Sequence, residues 1–140
     1  MRLILDTDVI VAAMRSPRGA SAAILGEVRL GRVVLALTVA LALEYEAVCM
    51  RPEHRLAAGL SRPEAVIFVD AVIAMAEPVE THYRWRPQLR DPADEMVLEA
   101  AINGEADVLA TFNQRDFGDV PRQFGIEVLL PRDVIRRIRS

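Results

Sequence analysis

The sequence predicts an α/β fold, a three-layer α/β/α sandwich around a central, mostly parallel sheet. Short apolar runs typical of buried strands alternate along the chain with longer segments whose apolar residues recur at helical spacing. Strands that alternate with helices in this way favour a parallel sheet covered on both faces. The chain has 140 residues, 52% of them hydrophobic, without an internal repeat or a linker-like stretch. We therefore predict a single domain over residues 1–140 with one core.

Two strands and two helices are predicted in the first part of the chain. Apolar runs at 3–5 and 33–37 predict the strands. Between them, small and apolar residues recur at helical spacing over 19–30 and predict the first helix. Thr38 suits the N-cap position, and it predicts a second helix over 39–50.

Capping signals open two further helices. Ser61 and Glu64 form a capping-box pattern that begins the first of them, which runs to about Ala76. Asp91 begins the second, which ends at Asn103, just before a glycine.

The remaining elements are three strands and a terminal helix. Apolar segments predict the strands at 78–82, 108–111 and 126–130. Pro131 then opens a last helix that is rich in arginine. Together with the preceding elements, these complete the alternation that predicts the parallel sheet.

Composition excludes several classes of protein. The formal net charge of −3 excludes a globally basic surface, so a nucleic-acid partner requires a local basic patch. All seventeen basic residues are arginines, which excludes a catalytic lysine. Cys49 is the sole cysteine, which excludes an internal disulfide or a cysteine-based zinc cluster. No signal peptide or uninterrupted apolar stretch of about 20 residues is present, so we predict a soluble cytoplasmic protein and no membrane partner.

Acidic and amide side chains fall at the carboxyl ends of the predicted strands. Asp6 follows the first strand directly, and Glu44 lies early in the helix after the second strand. Asp94 lies in the first turn of the helix that leads into the fourth strand, and Asn113 and Asp116 follow that strand. Ligands of open α/β sheets bind at this edge. We therefore expect these side chains to lie near one another.

Each acid also has a structural explanation. Asp91 and Asp94 suit the start of a helix, a role worth about 1 kcal/mol, and Asp116 suits a turn. Glu44 and Asp6 are harder to explain in this way, because an unpaired charge in apolar surroundings is costly. Carboxylates gathered at one edge repel one another unless a cation neutralises them. Oxygen-only ligands favour Mg²⁺ or Mn²⁺, and such a site supports hydrolysis of phosphate esters.

Four segments, in their order along the chain, resemble the PIN domain family, and most of all its bacterial toxins of toxin–antitoxin pairs. They are LDTDVIVAA, LEYEAVCMRPEH, RDPADEMVLEAAINGEADVLATFNQRDF and IEVLLPRDVI. The resemblance implies an endoribonuclease that depends on Mg²⁺ or Mn²⁺, whose catalytic and metal-binding acids are Asp6, Glu44, Asp94 and Asp116. It also implies an RNA substrate, a homodimer and a small antitoxin protein that blocks the site.

The chain departs from the family pattern near some of these acids. The first motif more often reads Asp-Thr-Asn, whereas Asp8 takes the Asn position here. The last motif offers both Asn113 and Asp116, and Asp116 is preferred as the fourth ligand because it is ionised. In addition, supporting roles are open for six residues, which are Thr7, Asp8, Asp91, Glu95, Thr111 and Asn113.

A basic stretch with an aromatic residue lies just before the third of these segments. It consists of Arg84, Trp85, Arg86 and Arg90. Guanidinium groups suit an RNA backbone, and an indole ring suits stacking on a base. A solvated loop explains the same composition equally well.

Two other functions compete with the ribonuclease. The sequence Asp6-Thr7-Asp8 also matches the Asp-x-Asp of haloacid-dehalogenase-type phosphatases, in which the first Asp is a covalent nucleophile. That fold generally needs a downstream Lys or Arg, and its usual Lys is absent here. The second alternative is a non-catalytic PIN-like module that only binds RNA or a protein.

Overall fold

The computed structural model describes residues 1–82 and 88–140 and contains a parallel sheet of five strands. The strands are β1 (Arg2–Leu5), β2 (Val34–Leu37), β3 (Glu77–Pro78), β4 (Val108–Ala110) and β5 (Glu127–Leu129). Their order across the sheet is β3-β2-β1-β4-β5, and every neighbouring pair is parallel. The predicted α/β class is confirmed.

Eight α-helices and one 3₁₀-helix surround this sheet in the described part of the chain. The α-helices are α1 (Thr7–Arg15), α2 (Ala20–Arg29), α3 (Val39–Cys49), α4 (Pro52–Ala57), α5 (Arg62–Met75), α6 (Pro92–Asn103), α7 (Val120–Gln123) and α8 (Pro131–Arg139). The 3₁₀-helix spans Gln114–Phe117. The connections from β1 to β2 and from β2 to β3 run in one direction across the sheet. The connection from β3 to β4, which contains α6, runs in the opposite direction. Right-handed crossovers therefore place α6 on the opposite face, where it packs against β1 and β2.

The core is built around the central strand. Leu3, Ile4 and Leu5 of β1 are completely buried, as expected for a strand that is paired on both sides and covered on both faces. Thus the strand that ends at the candidate site is buried over its last three residues. None of the helices described in the structure is long and apolar enough to cross a bilayer.

The predicted caps are present in the structure. Thr38 accepts a hydrogen bond from the backbone of Leu41, at 3.2 Å, at the start of α3. Ser61 and Glu64 form the predicted capping box at the start of α5. These reciprocal bonds satisfy backbone N–H groups that have no partner within the helix, which is why sequence alone located these two helix starts.

The third strand was predicted in the wrong place. It was expected over 78–82, but β3 contains only Glu77 and Pro78. The reason is the length of its neighbour, because β2 ends at Leu37 and offers partners only to these two residues. A last backbone bond from Val79 to Leu37, at 2.9 Å, ends the pairing.

Glu27 joins the C-terminal helix to the second helix. Its side chain is only 5% exposed, and it accepts hydrogen bonds from Arg32 at 3.0 Å and from Arg139 of α8 at 3.4 Å. The bond from Arg32 is the main reason that the pKa of Glu27 lies below its ordinary value of 4.5. The charged carboxylate therefore stabilises the fold at pH values above 4.5. This stabilisation is lost as the pH falls through the lower pKa of the folded state.

Glu27→Gln is therefore expected to lower the thermal unfolding midpoint at pH 7 and to have a smaller effect at about pH 3, because the wild-type carboxylate loses its charge progressively as the pH falls through its lowered pKa. Thermal unfolding followed by circular dichroism at both pH values measures this difference. Glu127→Gln is the matched control, because the Glu127–Arg137 pair, at 2.7 Å, is exposed and should contribute less. An equal loss for Glu27→Gln at both pH values would contradict the role of the charge.

Candidate active site

Asp6 is fixed at the point where β1 ends. One of its carboxylate oxygens accepts a hydrogen bond from the backbone of Thr7 at 2.7 Å and thereby caps α1. The other oxygen accepts a hydrogen bond from the Thr111 hydroxyl at 2.6 Å. The residue is only 6% exposed, so its carboxylate has a defined orientation at the carboxyl edge of the sheet, between β1 and β4.

Asp8 connects α1 to the loop after β4. Its Oδ2 atom accepts hydrogen bonds from the backbone N–H of Phe112 at 3.1 Å and from the side-chain amide of Asn113 at 3.0 Å. Its Oδ1 atom is buried and has no hydrogen-bond partner among the described residues. The amide of Asn113, a sequence-based alternative for the fourth metal ligand, is therefore engaged by Asp8 in this structure.

The three acids at the start of α6 have different surroundings. Asp91 caps the helix by accepting from the backbone of Ala93 at 2.8 Å. Glu95 is buried and accepts from the backbone N–H groups of Gln88 and Leu89, the latter at 2.8 Å. Asp94 is half-buried, and its carboxylate accepts no hydrogen bond from the described part of the chain. Of the three, Asp94 is therefore the one in which neither carboxylate oxygen accepts a hydrogen bond from the described residues.

The carboxylates at this edge destabilise one another. Burial, followed by the charges of Asp6, Asp91 and Asp116, raises the pKa of Asp94 to about 6. Burial, followed by the charge of Asp6, raises the pKa of Asp8 to about 7. Burial also raises the pKa of Asp6, against the opposing effect of its hydrogen bonds. The acids that follow β1, those of α6 and the acid of the segment after β4 thus share one electrostatic environment.

The helix α3 contributes Glu44, which was predicted from the sequence, and Tyr45, which was not. Glu44 is half-buried on this helix. The next residue, Tyr45, is completely buried, and its hydroxyl donates a hydrogen bond to the backbone carbonyl of Leu5, which directly precedes Asp6. Tyr45 lies four positions after Leu41, on the same helical face. That spacing was the available signal that the ring faces the core.

Asp116 lies in the 3₁₀-helix and is exposed. It lines a cavity of about 430 Å³ together with Asp94, Arg90 and Arg115. Neither guanidinium group forms an ion pair with another residue in the described ranges. With Asp91, which also lines it, the cavity combines three carboxylates with two arginines that have no acidic partner among the described residues. Three residues of the predicted basic stretch, Arg84, Trp85 and Arg86, lie outside the described residues.

The site fits a hard divalent cation in its chemistry. Its donors are carboxylate oxygens, burial and neighbouring acids raise the pKa values of Asp6, Asp8 and Asp94, and one buried oxygen of Asp8 has no partner among the described residues. Within residues 1–82 and 88–140, however, no three His, Cys, Asp or Glu side chains lie close enough together to hold a metal ion. The described side chains therefore supply suitable ligands but not a preformed set.

Comparison with known protein families agrees with this arrangement. The family model described as PIN domain matches residues 2–115, a range that includes Asp6, Glu44 and Asp94 and ends one residue before Asp116. Neither curated proteins nor solved structures gave a match. PIN domains have a nuclease-type fold and are generally Mg²⁺-dependent nucleases. Since the match covers most of the chain and the sheet and acids are arranged as described above, the chain belongs to the PIN domain family.

Proposed function

We propose that this protein is an endoribonuclease that hydrolyses RNA phosphodiester bonds with the help of Mg²⁺ or Mn²⁺. The observation that carries the proposal is the convergence of carboxylates from β1, α6 and the 3₁₀-helix at one edge of a PIN-domain sheet. The edge also holds arginines, which suit a polyanionic substrate.

The proposed metal ligands are Asp6, Glu44, Asp94 and Asp116. All four supply oxygen atoms, the ligand type that Mg²⁺ and Mn²⁺ prefer. When bound, the metal supplies positive charge that stabilises the phosphoryl oxygens and lowers the pKa of water. In the free protein, burial and neighbouring acids raise the pKa values of Asp6 and Asp94, so these two carboxylates would be stabilised in their charged form by a bound cation.

Other residues of the chain orient the acids and the substrate. The Thr111 hydroxyl, 2.6 Å from Asp6, holds that carboxylate in one orientation, and Asp8 holds the loop that follows β4. Arg90 and Arg115 face the same cavity as Asp94 and Asp116, and we assign them the binding of RNA phosphates. This division of roles offsets the repulsion between a negatively charged substrate and an acidic site.

We further propose that the nuclease is the toxin of a toxin–antitoxin pair in the cytoplasm, acts as a homodimer and is inhibited by a cognate antitoxin protein. The sequence resemblance described above motivates this proposal. A groove of about 630 Å³ supports a protein partner, because its lining is mostly apolar and includes Met14, Leu25, Phe68 and Met75. Light scattering tests the homodimer, and a small protein encoded next to this gene that abolishes cleavage on co-purification would support the toxin role.

The alternatives have less support. The PIN domain match begins at residue 2 and includes Asp6-Thr7-Asp8, so the family match favours the nuclease over the phosphatase for this motif. A non-catalytic module predicts that RNA binds without being cleaved. The assay below distinguishes all three.

Purified protein with Mg²⁺ or Mn²⁺ is expected to cleave members of a panel of single-stranded and structured RNAs, and EDTA should stop the reaction. Asp94→Asn should reduce the rate about 100-fold or more, because it removes a charged metal ligand worth several kcal/mol in the transition state. Gel analysis of end-labelled RNA measures the rates.

Asp91→Asn is the matched control for this variant. Asparagine is as good an N-cap as aspartate, so the change removes one charge at the start of the same helix without removing the cap. It should retain most of the activity. Cleavage that resists EDTA, or an equal loss in both variants, would refute the metal site. Hydrolysis of only small phosphomonoesters, with a phosphorylated Asp6, would establish the phosphatase instead.

A further inference from the structure

A second cavity lies beside the candidate active site, and the proposed chemistry leaves it unused. It has a volume of about 400 Å³ and lies between the end of α1, the start of α2 and the start of α8. Its lining is mostly apolar and includes Ala12, Ala20, Leu130 and the ring of Phe112. Arg132 is the charged residue of the lining. We refer to this space as the Phe112 cavity.

The backbone of Phe112 is held in a fixed position relative to the acids. Its N–H group donates to Asp8 at 3.1 Å. The preceding residue, Thr111, donates to Asp6 at 2.6 Å, and the following residue, Asn113, donates to Asp8 at 3.0 Å. Phe112 is therefore part of the same hydrogen-bonded unit as the first motif.

The ring of Phe112, in contrast, remains accessible. The residue is 50% exposed, although Thr111 before it is completely buried. An aromatic ring at the mouth of an apolar cavity presents a flat surface on which an unpaired base can stack. The volume also lies within the range of small-molecule pockets, which begins at about 300 Å³.

Arg132 provides a group for the phosphate next to such a base. Its side chain is exposed and forms no ion pair with any residue of the described ranges, whereas Arg136, Arg137 and Arg139 of the same helix each contact an acid. A guanidinium group without an acidic partner beside an aromatic ring combines the two interactions that hold single-stranded nucleic acid.

From these observations we propose that the Phe112 cavity is a nucleotide subsite for single-stranded RNA, in which one unpaired base stacks on Phe112 and Arg132 contacts an adjacent phosphate. The inference rests on the proposed RNA-cleaving function and extends it to the choice of substrate. Phe112 is only four residues from Asp116, which lines the cavity of Arg90 and Arg115. The subsite would therefore favour RNA in which the nucleotide that stacks on Phe112 is unpaired.

Binding is tested with fluorescence anisotropy of a labelled RNA that the wild-type enzyme cleaves, or of a single-stranded RNA if it cleaves none. The Asp6→Asn background prevents cleavage during the measurement. Phe112→Ala is expected to weaken binding about 5- to 150-fold, the range for loss of one aromatic–base stack. Phe112→Tyr keeps the ring and should bind as the parent does. Phe112→Leu keeps apolar volume without the ring and should bind more weakly.

Phe124→Leu is the matched control. Phe124 is 38% exposed, but it lies near Asp107 and Ile126 at the opposite, amino-terminal edge of the sheet. Its substitution should leave RNA binding unchanged. Thermal unfolding of each variant checks that the fold is retained.

A scan with abasic residues identifies the base that is bound. One abasic position should weaken binding to the parent by the same factor as Phe112→Ala, and the two changes together should weaken it no further, which is the signature of a direct contact. If the wild-type enzyme cleaves RNA but neither Phe112→Leu nor any abasic position weakens binding, the subsite is refuted and the proposed nuclease is not. The cavity would then be available to a protein. If RNA binding depends on Phe112 but the wild-type protein cleaves no RNA, the subsite is supported and the nuclease is refuted. No RNA binding by the parent would overturn the subsite.

Discussion

Asp6→Asn is expected to reduce metal-dependent RNA cleavage about 100- to 1,000-fold without unfolding the protein. Asparagine has the same size as aspartate, and its carbonyl oxygen is able to cap α1 in the same way. The variant lacks the second oxygen that accepts from Thr111 and the negative charge at the end of β1, and with the charge several kcal/mol of metal-dependent stabilisation of the transition state. Initial rates with Mg²⁺, together with thermal unfolding, separate the loss of charge from a loss of structure.

Asp8→Asn is the matched comparison, because it makes the same change two residues later. An asparagine oxygen still accepts from the backbone of Phe112 and from Asn113, so the loop after β4 should remain in place. This variant should keep most of the activity. If Asp8→Asn abolished cleavage and Asp6→Asn did not, the roles of the two residues would be the reverse of those proposed.

Tyr45→Phe is expected to lower the free energy of unfolding by about 1–3 kcal/mol, because it leaves the buried carbonyl of Leu5 without the hydroxyl that donates to it. The ring itself remains, so the cost is that of an unsatisfied polar group and not of a cavity. Urea unfolding measures this difference, provided that the dependence of the free energy of unfolding on urea concentration is the same for both proteins.

The neighbouring Glu44→Gln distinguishes stability from catalysis within one helical turn. Glu44 is half-buried and accepts no hydrogen bond from the described residues, so its substitution should change the free energy of unfolding little. As a proposed metal ligand, it should nevertheless lower the rate of cleavage strongly. If Glu44→Gln lowered the free energy of unfolding as much as Tyr45→Phe does but left the rate of RNA cleavage unchanged, Glu44 would have a structural role only.

Local signals were sufficient to predict most of the fold from sequence. The capped helices α3, α5 and α6 begin where Thr38, Ser61 and Asp91 predict, because the interactions that start them span only two or three residues. The helix α1 was not predicted. Its run Val-Ile-Val is typical of a strand, and only burial on several sides, together with the cap from Asp6, makes it helical.

The location of the candidate site was predictable, but the roles of its side chains were not. The positions of Asp6, Asp94 and Asp116 follow from the rule that parallel strands end at one edge. In contrast, sequence does not show that Glu95 binds the backbone of Gln88, because this contact depends on how the chain enters α6. Which acid keeps free oxygens is decided by such tertiary hydrogen bonds.

The hydrogen bond between Thr111 and Asp6 joins residues that are 105 positions apart. It forms only after β4 has paired with β1, which is among the most distant strand pairings in the chain. Contacts of such long range form late, because the intervening chain has to be ordered first. During synthesis on the ribosome, the chain therefore carries its first acids long before it is able to orient them. The proposed ribonuclease is therefore expected to be inactive towards its own messenger and the surrounding ribosomal RNA until the segment that carries Thr111 has been made.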